Sequence, residues 1–446
     1  MKKIKSLLLA VAGITTAIAP VAAISCGRTD RTTSGVRANI TPIADITRNT
    51  ALTAETIQGK TPLSVVVVTD SGHVTDLSFN QSSYEGMMRY VDDIKELTGS
   101  EPKFAYSEPE SNSYENTYNS LLGKYNIWIL SGFTHGDAIK AYIQQNKDRL
   151  IKNNVKIIGT DFTIDPNELQ GYGDFYGLDF KVAESAYIVG QAVAELMATE
   201  ESYANKRKVT AFGGMPFHGV VDFIKGYYRG ILDINKTQSD ANKKVRPTQG
   251  KGLANDFSSV ALNTAFESGK PMDSAIANAI ASNPTVILPV AGPATGFTLD
   301  ELEKKANTDH IGVIGVDTDQ AKSRSKDSGK FYTSITKNIA QAVYDTILYI
   351  TYGIDSKNIY STKTAERSFS IRGSFKQGWV GYAQSTLKDE AMKTKMNQLL
   401  AKYDAKFKEL SEEDIDFISS DKLNKTDSAT LSLPDLIQEL TGEMLK

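Results

Sequence analysis

A short segment that combines a carboxylate, an aromatic ring and an amide is the most informative part of this sequence. Four consecutive valines, Val65–Val68, predict a strand that is buried on both faces. Asp70 follows this strand, and Phe79 and Asn80 precede a helical pattern that begins at about Ser82. Ligands of open α/β sheets bind in the loops at the carboxyl ends of strands. These residues could simply turn the chain and fill the core, but their chemistry suits a small, flat, polar ligand.

Five more predicted strands end in loops of small, acidic or aromatic residues. These loops are 131–133, 159–161, 213–218, 291–296 and 315–320. Small residues let the backbone approach a ligand, and carboxylates and aromatic rings add contacts. Because strands alternate with helical patterns from about residue 61, the chain predicts α/β architecture with parallel sheets and helices on both faces. We expect all six loops to meet in one site at the carboxyl edges of two sheets.

Motifs for metal, phosphate or nucleophilic chemistry are missing from the sequence. The four histidines are scattered and form no His-x-x-x-His pair, so we expect no metal site and no cofactor. The glycine segments do not match a phosphate-binding loop or a dinucleotide fingerprint, and no Gly-x-Ser-x-Gly elbow occurs. Asp70 could pair with Asp161 or Asp317 for glycosyl hydrolysis, which leaves a nucleoside hydrolase as the enzymatic alternative. The chain lacks the dense aspartate cluster that such hydrolases use to hold calcium.

The first residues of the chain predict export and lipid anchoring. Three lysines within the first five residues precede an almost entirely apolar run over 7–23, which leads into the segment Ala-Ile-Ser-Cys-Gly at 23–27. This pattern predicts a signal peptide over 1–25 and not a membrane-spanning helix. Cys26 is the only cysteine, and the run around it resembles a bacterial lipobox; the alternative is a signal peptide with a chance cysteine. We expect a lipid on Cys26, a flexible linker over 26–60, and attachment to the extracellular face of the cell membrane.

The length and charge of the chain fit a two-lobed protein that does not bind nucleic acid. About 420 residues remain after the signal peptide, which is long for one core and suits two lobes. The formal net charge is −3, so no large basic field is available for nucleic acid. We expect lobe 1 over 61–185 with about 330–355, and lobe 2 over 186–329 with about 356–446.

Taken together, the motifs resemble the basic membrane protein (Bmp) family of bacterial lipoproteins over about residues 62–382. The segments that carry the resemblance are Asp70, 76–86, 132–133, 159–161, 213–214, 222–226, 315–320 and 333–337. Within this family, the sequence resembles the surface lipoproteins of mycoplasmas. The family consists of purine-nucleoside receptors that serve ABC transporters and are not enzymes. The resemblance therefore implies a type I periplasmic-binding-protein fold, with two Rossmann-like lobes joined by a hinge, and an ABC transporter permease as partner.

The resemblance also implies which residues bind the ligand. The set is Asp70, Phe79, Asn80, Phe133, Asp161, Phe217, Gly292, Asp317 and Lys337. Phe79 would stack on the base, Asn80 and Asp161 would hydrogen-bond it, and Phe217 would stack on its other face. Phe212 and His218 remain alternatives to Phe217.

Four other members of this set are implied to lie on the sugar side of a nucleoside. Asp70, Asp317 and Lys337 would hold the ribose hydroxyls, and Gly292 would let the backbone approach the sugar. If three carboxylates converge on one lysine, they would repel a phosphate group and favour adenosine, guanosine or inosine over nucleotides. A sugar receptor of the same fold is the alternative among binding proteins, and an adhesin or surface antigen is a third class.

Overall fold

The structure, a computed structural model, describes residues 31–446 apart from residue 71 and the segments 110–113, 249–258 and 356–368. The expected signal peptide and the lipid site at Cys26 lie outside the described residues. Among the helices that are described, none is both long and apolar enough to cross a membrane.

The described strands form two sheets. In chain order they are β1 Arg31–Ser34, β2 Val65–Val68, β3 Phe104–Glu108, β4 Ile127–Ser131, β5 Lys156–Thr160, β6 Phe175–Phe180, β7 Lys208–Gly213, β8 Arg246–Pro247, β9 Val286–Val290, β10 Gly312–Asp317, β11 Phe331–Lys337, β12 Phe369–Gly373 and β13 Val380–Tyr382. The first sheet has the order β1-β3-β2-β4-β5-β6-β12, and the second has the order β13-β11-β10-β9-β7-β8. β1 pairs antiparallel with β3 at one edge of the first sheet, and β13 pairs antiparallel with β11 at one edge of the second. The other described strand pairs are parallel.

Helices cover both sheets. They are α1 Ala54–Ile57, α2 Phe79–Thr98, α3 Glu115–Leu121, α4 His135–Lys152, α5 Val182–Thr199, α6 His218–Thr237, α7 Lys270–Ala281, α8 Ala294–Glu303, α9 Gln320–Ser323, α10 Ile339–Tyr352, α11 Glu390–Lys408, α12 Glu412–Ser419 and α13 Leu433–Leu445. Helix α10 packs on α2 beside the first sheet, and α5 packs on α6 and β11 beside the second. Strands β2, β4, β9 and β10 are buried at every residue, as parallel strands with helices on both faces require. The expected α/β class is confirmed.

The chain passes between the two sheets at three points. It crosses at Lys181 between β6 and α5, at Asn338 between β11 and α10, and between β12 and β13. Two backbone hydrogen bonds join these crossings: Lys181 N donates to Gly373 O, and Asn338 N donates to Trp379 O, each at 2.8 Å. The crossings therefore lie side by side and form the hinge between the lobes.

Two of the expected lobe boundaries are wrong. Strand β11 was expected in lobe 1, but it lies between β10 and β13 in the second sheet. Strand β12 was expected in lobe 2, but it pairs with β6 in the first sheet, with Ile371 opposite Leu178. Both strands are short and mix apolar with polar residues, so their composition does not indicate which sheet they join. Helix α10, in contrast, belongs to lobe 1 as expected, because it packs on α2.

The expectation of a flexible linker up to residue 60 is wrong for the described residues 31–57, which we call the N-terminal strap. Its strand β1 pairs with β3 at the edge of the first sheet. Ile43 and Leu52 are buried, and the carboxylate of Glu85 accepts hydrogen bonds from Ile43 N at 3.0 Å and Ala44 N at 2.8 Å. Backbone hydrogen bonds and isolated apolar anchors order the strap, and neither produces a periodic hydrophobic pattern.

Candidate functional site

A cavity lies between the two lobes, at the carboxyl ends of the strands of both sheets. It encloses about 800 Å³ of empty space, part of it open to solvent, which falls within the range of small-molecule sites. Loops that follow β2, β4 and β5 form one wall, and loops that follow β7, β9 and β10 form the other. The cavity brings together all nine residues of the expected set: Asp70, Phe79, Asn80, Phe133, Asp161, Phe217, Gly292, Asp317 and Lys337.

Asp76 fixes the start of α2, on which the first two of these side chains stand. The first backbone N–H groups of a helix have no partner within the helix and need an acceptor. The Asp76 carboxylate accepts from the backbone nitrogens of Ser78 and Asn80 at 2.9 Å and from that of Gln81 at 3.1 Å. This cap holds Phe79 and Asn80 in the first turn, at the edge of the cavity.

Asn80 holds Asp70 in place. The amide nitrogen of Asn80 donates to Asp70 Oδ1 at 3.0 Å and to Asp76 Oδ2 at 2.9 Å, so both of its hydrogens are used. Gly72 N also donates to Asp70 Oδ1, at 2.9 Å. In this arrangement the nitrogen of Asn80 has no hydrogen left for a base, which differs from the expected contact. Burial raises the pKa of Asp70, although the hydrogen bonds from Gly72 and Asn80 oppose this rise.

Lys337 joins the two walls at the floor of the cavity. Its Nζ donates to Asp161 Oδ1 at 2.9 Å and Oδ2 at 3.1 Å across the lobes, and lies 3.5 Å from Asp317 Oδ1 within its own lobe. Gly219 O accepts a further hydrogen bond at 3.2 Å. Burial alone would lower the pKa of Lys337, but the two carboxylates outweigh it and raise that pKa, so the amine stays charged.

Asp161 and Asp317 share an unusual backbone conformation. Their φ angles are +68° and +64°, in the left-handed region that non-glycine residues seldom adopt and that aspartate tolerates better than most. Asp161 directly follows β5, and Asp317 is the last residue of β10. The left-handed turn at each position directs the side chain toward Lys337. Residues held in sparsely populated conformations cluster at functional sites. Burial raises the pKa of Asp317, with Lys337 opposing the rise.

Three phenylalanines meet across the cleft. Phe133 of the first lobe lies 4.1 Å from Phe217 and 5.7 Å from Phe266, measured between ring centroids. Phe217 stands just before α6, on the opposite wall from Phe79. Of the alternatives to Phe217, Phe212 is buried in the core of the second lobe, and His218 faces Asp222 and Asp421 instead of the cavity.

Two glycines allow the carboxylates to come close to neighbouring groups. Gly132 has a φ of +110°, and a Cβ there would lie 2.7 Å from Asp70 Oδ2. A Cβ on Gly219 would lie 2.5 Å from the ring of Phe217 and 2.7 Å from Asp161 Oδ2. Gly292, the glycine expected beside the sugar, has open space on its side-chain face, where the nearest atom is Ser78 Oγ at 3.9 Å.

Sequence reasoning missed several residues that line the cavity. Phe266 stands on a segment whose Thr264 and Ala265 nitrogens donate to Gly213 O and Gly214 O, and no local pattern marks a single phenylalanine there. The hydroxyl of Ser78 is buried and has no hydrogen-bond partner among the described residues. Because Ser78 lines the cavity, its Oγ is available to a ligand.

Comparison with known sequences gives one family match and several relatives. The model of the Bmp family, described as PnrA-like ABC transporter substrate-binding proteins, matches residues 63–250. The ABC transporter nucleoside-binding protein BmpA of Lactococcus lactis is 29% identical over 300 residues, which cover 64% of this chain and 74% of that protein. An uncharacterised lipoprotein of Mycoplasma pneumoniae is 20% identical over 333 residues, which cover 58% of this chain and 50% of that protein.

Solved structures agree on the fold. A solute-binding protein of an ABC transporter system from Aeropyrum pernix superposes with a TM-score of 0.58 at 19% identity, over 86% of this chain and 99% of that chain. The expected type I fold of periplasmic solute-binding proteins is thereby confirmed. The family model and these relatives confirm the expected resemblance to the Bmp family of ABC transporter substrate-binding proteins.

Proposed function

We propose that this protein captures a purine nucleoside between its two lobes and delivers it to an ABC transporter permease. One observation carries the proposal: the cavity combines aromatic rings on facing walls, Phe79 and Phe217, with a floor of carboxylates around Lys337. A nucleoside has the matching chemistry, since its base offers two aromatic faces and its sugar offers hydroxyl donors. The nucleoside-binding relative from Lactococcus lactis supports the same ligand class.

The interaction strengths are sufficient for such a ligand. Stacking of a base on an aromatic side chain contributes about 1–3 kcal/mol. Hydrogen bonds to charged groups contribute roughly 1.5–3 kcal/mol each. Micromolar affinity corresponds to about 8 kcal/mol, so two stacking contacts and a few hydroxyl–carboxylate hydrogen bonds leave a margin for the cost of association.

The charges in the cavity favour an uncharged ligand. Four carboxylates, Asp70, Asp76, Asp161 and Asp317, line it together with Lys337, whose ammonium group is already bound by two of them. A phosphate would meet net negative charge and no free cation among these groups. The proposed ligands are therefore adenosine, guanosine or inosine and not their nucleotides.

Titration calorimetry with adenosine, guanosine, inosine, uridine, ribose and guanosine monophosphate tests this proposal. We expect the purine nucleosides to bind and the monophosphate to bind at least tenfold more weakly, a difference of about 1.4 kcal/mol. Binding of ribose without any nucleoside would contradict the purine ligand and favour a sugar receptor. Release of free base over hours would indicate a nucleoside hydrolase.

We further propose that a lipid on Cys26 attaches the protein to the outer face of the cell membrane. Ala-Ile-Ser-Cys-Gly supplies the lipobox-like signal, and the related Mycoplasma pneumoniae protein is described as a lipoprotein. Cell fractionation of a Cys26→Ser variant tests the anchor. We expect the variant to leave the membrane fraction, and an unchanged distribution would contradict lipid attachment.

A further inference from the structure

An ion pair outside the cavity also joins the two lobes. Arg372 stands on β12 of the first sheet, and Asp222 stands on α6 of the second lobe. Arg372 Nη2 donates to Asp222 Oδ2 at 2.5 Å. Arg372 Nε lies 2.9 Å from Asp179 Oδ2, on the neighbouring strand β6. Neither Arg372 nor Asp222 lines the cavity, so the proposed ligand site does not account for this contact.

The pair lies between the hinge and a helix of the cavity wall, so a movement of the lobes would change the distance between its members. Arg372 precedes Gly373, whose carbonyl accepts the hydrogen bond from Lys181 at the hinge. Asp222 is in the second turn of α6, and the first turn of that helix follows Phe217 and contains Gly219, both on the cavity wall. A contact between these two elements therefore links the hinge to the helix that presents part of the site.

Each member of the pair keeps a partner when the lobes separate. Asp222 is fully buried, and its Oδ1 also contacts Lys225 at 2.7 Å and His218 at 3.2 Å, both on the same helix. Arg372 retains Asp179 on its own sheet. Removing the only partner of a buried charge is strongly unfavourable. Because neither charge is left alone here, the contact can break and re-form as the cleft opens and closes.

We propose that Arg372 and Asp222 are positioning residues that stabilise the closed arrangement of the lobes and thereby set ligand affinity without touching the ligand. We call them the closure pair. The apparent affinity of a two-state receptor scales with the fraction of molecules in the binding-competent state. A contact that forms on closure and is absent from the cavity raises that fraction equally for every ligand. The inference rests on closure of the lobes and not on which ligand they hold.

Calorimetry and dissociation kinetics of Arg372→Gln with guanosine and adenosine test the closure pair. We expect both affinities to fall by the same factor, roughly three- to tenfold, with faster dissociation and an unchanged ratio between the two ligands. Small-angle scattering should give a larger radius of gyration for the ligand-free variant. Arg372→Lys, which keeps the charge, should restore part of the affinity.

Arg37→Gln is the matched control. Arg37 also contacts two carboxylates, Asp92 at 2.7 Å and Glu101 at 2.8 Å, but all three lie on the first lobe. Its loss should leave affinity and radius unchanged. Equal affinities of the wild type and Arg372→Gln, or a changed ratio of guanosine to adenosine, would overturn the closure pair. If the wild type binds no nucleoside, the proposed function fails, and equal radii of gyration then overturn the closure pair separately.

Discussion

The two walls of the cavity differ in composition and in how their side chains are held. On the first-lobe wall, Asp70, Asp76 and Asn80 form one hydrogen-bonded network with the start of α2. The second-lobe wall is mostly apolar or glycine, with Phe217, Phe223, Phe266, Val290 and Gly292. The first wall is therefore arranged to accept hydrogen bonds before any ligand arrives, whereas the second is suited to cover apolar surface.

The second wall also has two charged groups, which connect it to the polar first wall. Asp317 and Lys337 belong to the second lobe, but Lys337 makes its two shortest ion contacts to Asp161 of the first. The polar floor is thus complete when the lobes meet. The difference between the walls indicates that one lobe orients a ligand and the other encloses it, with Lys337 as the polar link between them.

The largest effect is expected from removing this link. In Lys337→Met, Asp161 and Asp317 lose their common cation while staying buried, and breaking such a pair costs about 3–5 kcal/mol. Denaturant unfolding should show this loss of stability, and calorimetry should show no nucleoside binding. Lys326→Met is the control, because Lys326 pairs with Asp300 and Glu303 at the surface and its loss should change stability by less than about 0.5 kcal/mol. If Lys337→Met unfolded at the same denaturant concentration as the wild type, the ion pairs of Lys337 would not stabilise the contact between the two walls.

The next effect concerns the aromatic ring on the first wall. Phe79→Ala removes a stacking surface and should weaken guanosine binding by about 1–3 kcal/mol, measured by calorimetry. Phe79→Leu serves as the control for apolar volume, since it keeps bulk but lacks an aromatic face, and it should recover less than half of the loss. If Phe79→Leu bound guanosine as tightly as the wild type, Phe79 would act only through its apolar volume. The first wall would then differ less from the apolar second wall.

A smaller effect is expected on the second wall. Phe266 contacts Phe133 and Phe217, so Phe266→Ala should weaken nucleoside binding by about 0.5–1.5 kcal/mol, the usual contribution of an aromatic pair. The loss should be equal for guanosine and free guanine, because the ring belongs to the apolar cover and not to the polar floor. Phe297→Ala, in a half-buried phenylalanine outside the cavity, should leave affinity unchanged. A loss seen with guanosine and absent with guanine would move Phe266 to the sugar side.

The last and smallest expected effect comes from titration of the carboxylates. Burial raises the pKa values of Asp70 and Asp317 above their ordinary 3.8. Hydroxyl donors favour the charged carboxylates, so a bound nucleoside should lower both pKa values. Affinity should therefore fall as the pH drops through the raised pKa values. Calorimetry in two buffers should detect proton release on binding in that acidic range, and Asp70→Asn should reduce it. Proton uptake instead would reverse the role given to the carboxylates.

Local sequence features were sufficient to predict the fold class and most of the loops that line the cavity, whereas the resemblance to a family supplied the set of expected ligand residues. The valine run at Val65–Val68 and the six strand-end loops are continuous in the chain, and parallel sheets bring their carboxyl ends to one edge. Their positions therefore follow from strand order without knowledge of distant contacts. The choice of Phe217 over Phe212 and His218 required the structure, because neighbouring positions differ only in which side of β7 and α6 they occupy.

Contacts between distant residues could not be predicted in the same way. Lys337 and Asp161 are 176 positions apart, and Arg372 and Asp222 are 150 apart. The sheet chosen by β11 and β12 and the position of the Phe266 ring depend on such long-range packing. The N-terminal strap was missed because its anchors Ile43 and Leu52 have no helical or strand period.

The antiparallel strand of the N-terminal strap affects how the protein behaves in concentrated solution. β1 pairs along β3, from Arg31 opposite Glu108 to Ser34 opposite Ala105, and thus occupies the hydrogen-bonding groups of that sheet edge. An open edge strand is a template for pairing with another molecule and for aggregation. A shortened protein that begins at residue 60 would keep every cavity residue but expose β3, and we expect it to self-associate. For crystallisation or binding assays, the soluble form should therefore begin no later than Arg31.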